Sequence, residues 1–472
     1  MIIRRNPPAS PAKNKSPRSW SIALLAVAGG VLGCAAAASP SVFPTGTTRY
    51  ELAKAYNSFV LFTGGDEITR LIDLNGAVVH EWKYRGFPPV FLDPALVDGK
   101  RGHVLLTLAT VEGSGADLVP GRVSPRIAKT IGEVDWEGKT LWTFDDRAPG
   151  GRAQQHHDLA RLPGGNTIVL AKISHPVKGF DQPLVLDDVV YEVDPKGQIV
   201  WSWTASEHLE EFGFSPEELK LVRASTSADY LHVNNLKPIG PNHWFDAGDK
   251  RFDPENLIFD SRSANFVAII EKKTGKIVWT LGPHFPPIPE TGTTTNRAVP
   301  RPVDQISGQH DAHFIPAGLP GAGNLLLFDN QGEGGYPPAA LTVTGGSRVL
   351  EIDPIKKEIV WQYIGPDSGD PGWTFKSTHI SNARRLPNGN TFINEGQYGR
   401  FFQVTPKGEI VWEYINPFPR RATDADGRVN VNYQVYRAQP VPYDWAPAGT
   451  PHSEAAVATP DNATFRIPAT TH

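Results

Sequence analysis

His157, His232 and His310 each stand six residues ahead of a proline (Pro163, Pro238 and Pro316) and open successive copies of one repeat. A fourth copy runs from Ser381 to Pro387, with His379 two residues ahead of the register position. Side chains alternate faces along a strand, so a displacement of two keeps His379 on the face of the others. By the same parity His310 and His313 point to opposite faces, as do His156 and His157, which removes His156 and His313 from the set. Imidazoles drawn to one point could ligate a metal, attack an electrophile or relay protons. A histidine ahead of a turn can equally be a hydrogen-bonded structural residue, and recurrence alone does not choose. Polar neighbours favour chemistry: Asn234 and Asn235 follow His232, Gln309 and Asp311 flank His310, and Asn382 follows His379.

Zinc is the first rival. The run Gln309-His310-Asp311-Ala312-His313 is rich in ligand types, but its two histidines face apart and no carboxylate recurs in register, so no metal is assigned. A Gly-x-Ser-x-Gly elbow, a P-loop and a dinucleotide fingerprint are all missing from the sequence. Histidine is therefore left to carry the chemistry, and no cofactor is expected.

The elements that position these histidines are repeats. Six segments share an acidic or polar residue, a turn and an apolar run ending in Trp: Asp73 to Trp82, Asp135 to Trp142, Asp194 to Trp201, Glu271 to Trp279, Asp353 to Trp361 and Thr405 to Trp412. Each reads as a tight hairpin with a β-rich second strand. Between them lie hairpins on a Leu-Pro-x-Gly-Asn turn, as at Leu162 to Asn166 and Leu386 to Asn390. Two hairpins per repeat make a four-stranded antiparallel sheet, and six such sheets predict an all-β, six-bladed β-propeller over residues 39–440. The tryptophans are expected to pack between blades. Within the long loop 206–226, Pro216-Glu217-Glu218-Leu219 predicts a short helix; a second long loop, 283–308, is rich in Pro and Thr. The stretch Val431 to Tyr436 is read as a strand closing the ring, and 441–472 as a disordered tail.

A net charge of −4 and a pI near 6.4 give no sign of a nucleic-acid partner. Residues 1–38 read as an export signal: Arg4, Arg5, Lys13, Lys15 and Arg18 precede an apolar run from Trp20 to Gly33 that is too short to span a bilayer. Cys34 is the only cysteine, so no internal disulfide can form. Val31-Leu32-Gly33-Cys34 loosely matches a lipobox, which makes Cys34 a candidate lipid anchor, while Ala36-Ala37-Ala38 offers ordinary cleavage before Ser39. Either route places the protein in the periplasm and leaves room for a homo-oligomer.

At the histidines the sequence resembles the bacterial aryl-sulfate sulfotransferase family, over roughly residues 65–440. The words that carry the resemblance are Leu231-His232-Val233-Asn234-Asn235, Ser261-Arg262, Gly275 to Gly282, Gln309-His310-Asp311-Ala312, Phe328-Asp329-Asn330, Ser347-Arg348-Val349 and Thr378-His379-Ile380-Ser381-Asn382. The resemblance implies a six-bladed periplasmic propeller that moves a sulfuryl group from an aryl sulfate to a phenolic acceptor, in ping-pong fashion and without a nucleotide cofactor. It implies that His379 is the transiently sulfated histidine and that His232 and His310 support it, one of them exchanging the phenolic proton. One departure stands out. The family places an arginine shortly after its Phe-Asp-Asn word, and Asn330 to Gly335 holds none. Arg348 or Arg262 would substitute as the sulfate-binding cation, with Asn234 and His157 completing the substrate-binding set.

Two other classes compete. Gly-x-Ile-Val-Trp repeats are also similar to quinoprotein dehydrogenases, which hold pyrroloquinoline quinone and calcium, usually with adjacent cysteines. A non-enzymatic envelope scaffold would need no polar channel at all.

Overall fold

The computed structural model describes residues 44–110, 127–286, 299–332, 334, 346–424 and 426–461. The export signal and Cys34 lie outside the described residues.

The recurring acidic or polar residue of the Trp hairpins makes the turn. Asp194 Oδ1 accepts from the backbone N–H groups of Lys196 and Gln198, at 2.9 and 2.8 Å, while Gly197 N–H donates to Asp194 O. Gly197 takes a φ of +78°, which a side chain would oppose. Asp73, Asp135 and Thr405 hold Ala77, Lys139 and Glu409 in the same way. Each turn is followed by a ladder slip, such as that between Glu192 and Val193, where one strand carries an extra residue.

These hairpins build an all-β, propeller-like arrangement. Four sheets form blades of four or five strands. One runs Ala438–Val441, Phe59–Thr63, Thr69–Ile72, Val78–Trp82; another runs Val233–Pro238, Leu257–Ser261, Phe266–Ile270, Ile277–Leu281. A third starts at His310–Phe314 and the fourth at Asn382–Arg385. The remaining large sheet has eight strands, in which a meander from Arg85–Phe91 to Thr140–Phe144 meets a second from Gln155–Arg161 to Ile199–Thr204 where Ala128 faces Gln155. The apolar core lies between neighbouring sheets: Ile168 and Leu170 of one pack with Phe259 and Phe266 of the next.

Indole N–H groups tie the sheets together. Trp82 donates to Asp135 O, Trp203 to Gly275 O, Trp279 to Pro354 O, Trp361 to Pro406 O and Trp412 to Leu74 O, all between 2.7 and 2.9 Å. Each bond reaches the turn of the following Trp hairpin, and the last returns to the first. In the third repeat the donor is the buried Trp203 and not Trp201, which lies two residues earlier on the same face. Trp142 instead packs beneath the Arg161 guanidinium.

The first and last strands of the described residues interlock with strands from the opposite end of the sequence. Gly46–Tyr50 pairs with Ile410–Ile415, and Ala438–Val441 pairs with Phe59–Phe62. The closing strand is thus Ala438–Val441 and not Val431 to Tyr436. Residues 429–432 form a separate hairpin with Arg420–Thr423, and Tyr436 and Arg437 turn into the axis. Nor is the chain disordered from 441: Trp445 is buried against Trp82, Phe91 and Trp136, its indole donates to Leu92 O, and Val457 bridges Tyr50. An aromatic anchor outweighs the Ala, Pro and Thr content up to residue 461. The helix Pro216–Arg223 is present, with Ser215 and Glu218 forming a capping box. Among the described residues no helix is long and apolar enough to cross a membrane.

Candidate active site at the sheet axis

The inner strands reach the axis through irregular backbone. His157 and His232 have φ of 55° and 50°, and Asp311, Ile380 and Ser381 have 61°, 58° and 92°. Left-handed backbone at a non-glycine residue costs about 1–3 kcal/mol, so the surroundings must enforce it. Ladder slips accompany these positions, at Val233/Asn235 and between His310 and His313. Strand parity therefore fails here. His156, which parity set on the opposite face, has its Nδ1 2.7 Å from His157 Nδ1.

His157 and His232 face each other edge to face, with ring centroids 4.8 Å apart. Burial, followed by the neighbouring His232 and His156, pushes His157 well below the usual histidine range, so it is neutral at pH 7. His232 donates from Nδ1–H to Asp229 Oδ2 at 2.7 Å, leaving Nε2 free of that carboxylate. Asp229 Oδ1 accepts from Lys172 Nζ at 2.5 Å.

His310 is held differently. Its Nδ1 lies 2.9 Å from Gly308 O and 2.8 Å from Asn330 Oδ1, both acceptors, because the Asn330 amide nitrogen donates to Ser377 O and Ile380 O. Nδ1 therefore carries the hydrogen, and Nε2 accepts from Ile380 N–H at 3.1 Å. Burial and then the Arg262 cation hold His310 well below its ordinary range. Through that bond it contacts the turn that carries His379.

The same accounting fixes the tautomer of His379. Gln397 Oε1 accepts from Thr378 N–H at 2.8 Å and from the Thr378 hydroxyl at 3.0 Å. The hydroxyl oxygen is left to accept from His379 Nδ1–H at 3.2 Å. His379 Nε2 then carries the lone pair, toward which the Gln434 amide nitrogen donates at 3.1 Å. His379 is half-buried, and Ile380 links it to His310.

Below the histidines the axis is closed by charge. The fully buried Arg437 meets Asp158 at 2.8 Å and Asp311 at 3.5 Å, and donates to Asn234 O at 2.8 Å. Lys237 and Arg384 complete the cluster on the same two carboxylates. Beside the histidines, a cleft is lined by Arg85, Phe87, Ile380, Arg420, Gln434 and Tyr436. Phe87 and Tyr436 present rings 5.0 and 5.6 Å from His157.

Two expected substrate contacts are corrected. Arg348 is buried, with Nε and Nη2 on Asp329, Nη1 on Asp304 and Nη2 also on Gln305 O. Four of its five N–H donors are engaged inside the protein and its charge is matched by two carboxylates, which leaves it a structural cation. Asn234 is also fully buried; its side-chain amide nitrogen donates to Gln309 O, and its backbone carbonyl accepts from the Tyr436 hydroxyl. It braces the axis. Arg262 remains at the site, its backbone N–H on His232 O and its charge felt by His310.

Sequence reasoning passed over Asp229, Thr378, Gln397, Gln434 and Lys172. Asp229 and Thr378 were within reach, three residues before His232 and one before His379. The other three arrive only through tertiary packing.

Near the axis the structure thus brings His157, His232 and His310 within reach of one another, with Arg262 and a cleft beside them. The family model for arylsulfotransferase (ASST) matches residues 51–436, and the chain belongs to this family. Membership supports aryl sulfotransferase activity in general. Among solved structures, a protein of unknown function from Bacteroides caccae is similar at 12% identity and TM-score 0.43, covering 82% of this chain and 99% of that one. A streptogramin B lyase is similar at 14% identity and TM-score 0.37, over 85% and 94%. The periplasmic gluconolactonase of Pseudomonas aeruginosa is similar at 10% identity and TM-score 0.36, over 86% and 100%. No curated protein matches the chain.

Proposed function

We propose that this chain transfers a sulfuryl group from an aryl sulfate to a phenolic acceptor through a sulfated His379, in ping-pong order and without a nucleotide donor. The observation that carries the reading is the hydrogen-bond chain from Gln397 through Thr378 to His379 Nδ1–H, which leaves a lone pair on Nε2. In the first half-reaction the Gln434 side-chain amide swings off Nε2, and that lone pair bonds to sulfur while the S–O(aryl) pair leaves with the phenolate. A proton from His232 then makes the phenol. In the second, His232 takes the proton of the acceptor hydroxyl, its oxygen bonds to sulfur, and the S–N pair returns to His379. Transfer runs through a loose transition state with charge on the equatorial oxygens, and in this reading Arg262 and the Gln434 amide meet that charge. A sulfate monoester carries a single negative charge, so one guanidinium with amide donors can serve. Phe87 and Tyr436 offer the phenol a ring to pack against.

In this reading the frame is a six-bladed propeller, because the eight-stranded sheet divides into two four-stranded meanders and the Trp412 donation returns from the last Trp hairpin to the first. The export reading puts the reaction in the periplasm, with Cys34 a candidate lipid anchor.

Incubation with 4-nitrophenyl sulfate, with and without phenol, tests the proposal. Phenol-dependent release of nitrophenolate and a mass gain of one SO₃ are expected, and both should vanish in His379→Ala, a loss of at least about 10⁴-fold. Folded protein that gains no mass from several aryl sulfates would defeat the reading.

A further inference from the structure

His232 is the end of a buried chain of charge. Behind its Nδ1–H stands Asp229, which Lys172 grips at 2.5 Å. Lys172 Nζ lies 3.3 Å from Asp188 Oδ1, and that oxygen lies 3.2 Å from His156 Nε2. His156 then meets His157 at 2.7 Å, and His157 returns to face His232. A lysine between two aspartates is costly to bury unless its partners are held in place, and Lys172 and Asp188 are 5% and 1% exposed. The cluster is not a feature of the repeat: nine residues before the register proline, where this copy has Asp229, the other copies have Gln154, Ser307 and Thr378.

Resting on the reading of the site as a sulfotransferase, we propose that Asp229, held by Lys172, is the positioning residue that makes His232 the group exchanging the phenolic proton. The geometry separates His232 from His310. His310 Nε2 is occupied by Ile380 N–H, whereas the Asp229 contact directs His232 to work from Nε2. Burial alone would raise Asp229, but Lys172 and His232 overcome it and hold the carboxyl well below the usual range. It therefore stays ionised as His232 gains and loses its proton. A carboxylate in this place fixes the tautomer and supports the imidazolium without taking the proton itself.

The test uses leaving groups of different basicity, because a proton donor matters most for a poor one. In Asp229→Asn, turnover of phenyl sulfate should fall about 10²–10⁴-fold, and that of 4-nitrophenyl sulfate about tenfold or less. Asp229→Glu should restore the shallow dependence of the wild type. Equal losses with both donors would reduce Asp229 to a packing role and overturn the proposal. Wild-type protein provides a check that needs no folded variant: ¹⁵N-histidine spectra should show His232 protonated at Nδ1, and a bare Nδ1 would also overturn it. The two readings fail separately. Absence of any sulfated protein in the wild type defeats the enzyme reading, whereas normal sulfation of His379 in Asp229→Asn with an unchanged leaving-group dependence defeats the role of Asp229 alone.

Discussion

The two sides of the axis hold their histidines by different means. On one side the hydrogen-bond partners are neutral: Gly308 O and Asn330 for His310, Thr378 and Gln434 for His379, with Gln397 behind. On the other, His232 and His157 are backed by Asp229, Lys172, Asp188 and His156. Neutral partners can decide which nitrogen carries a lone pair without altering its charge. An ion pair can stabilise a proton that comes and goes. The difference teaches that one ring of similar strands can give its histidines opposite surroundings by what lies behind each, and under the proposed mechanism these would suit a nucleophile and a proton carrier.

The largest effects test where the useful cation sits. Arg348→Met strips the partner from buried Asp329, and loss of one member of a buried pair costs about 3–5 kcal/mol. Thermal unfolding should drop sharply, while turnover per folded molecule stays near the wild-type value. Arg262→Met should do the reverse, lowering kcat/KM for aryl sulfates by about 10²–10³-fold with a smaller stability loss. If Arg348→Met abolished transfer in protein that remained folded, the separation between locked and working arginines would collapse.

Much of this was legible from sequence, and the failures share one cause. The histidine register and the Trp hairpins are local patterns, readable because turn, bulge and indole recur together. Trp203 was missed because Trp201 and Trp203 share a face, and spacing cannot say which indole reaches Gly275 O. Arg348 was misjudged because its acceptors, Asp304 and Asp329, come from separate segments. Strand parity wrongly excluded His156 because a φ of +55° at His157 breaks the alternation. Regular elements announce themselves in sequence; left-handed residues and remote ion pairs do not.

Acid should act on the neutral side through His310. Arg262, His232 and Arg437 all face His310 with positive or potentially positive charge, and its Nε2 already receives the Ile380 N–H. A proton there would set two donors against each other. The folded pKa lies below the unfolded value, so the contribution of His310 is complete above about pH 6.5 and is lost as pH falls toward the folded value. While the unfolded chain binds that one extra proton, stability falls by about 1.4 kcal/mol per pH unit. Denaturant unfolding from pH 7 to pH 5 should therefore be less steep in pH for His310→Gln, by about one proton. An unchanged slope would mean that His310 is readily protonated where it stands, and the neutral side would lose its meaning.

The smallest effect is the sharpest test of the neutral side, because it alters a tautomer and no charge. Thr378→Val removes the acceptor for His379 Nδ1–H and a donor to Gln397. A single neutral hydrogen bond is worth about 0.5–1.5 kcal/mol, which corresponds to roughly a 2–13-fold slower sulfation of His379. Rapid-quench mass analysis of the first half-reaction reads this directly, and Thr378→Ser should recover the rate because its hydroxyl can both accept and donate. Leaving-group dependence should not change in either variant, since the proton is handled across the axis. A steeper dependence in Thr378→Val would show that nucleophile and proton carrier are not separately held, and it would do so without disturbing a single ion pair.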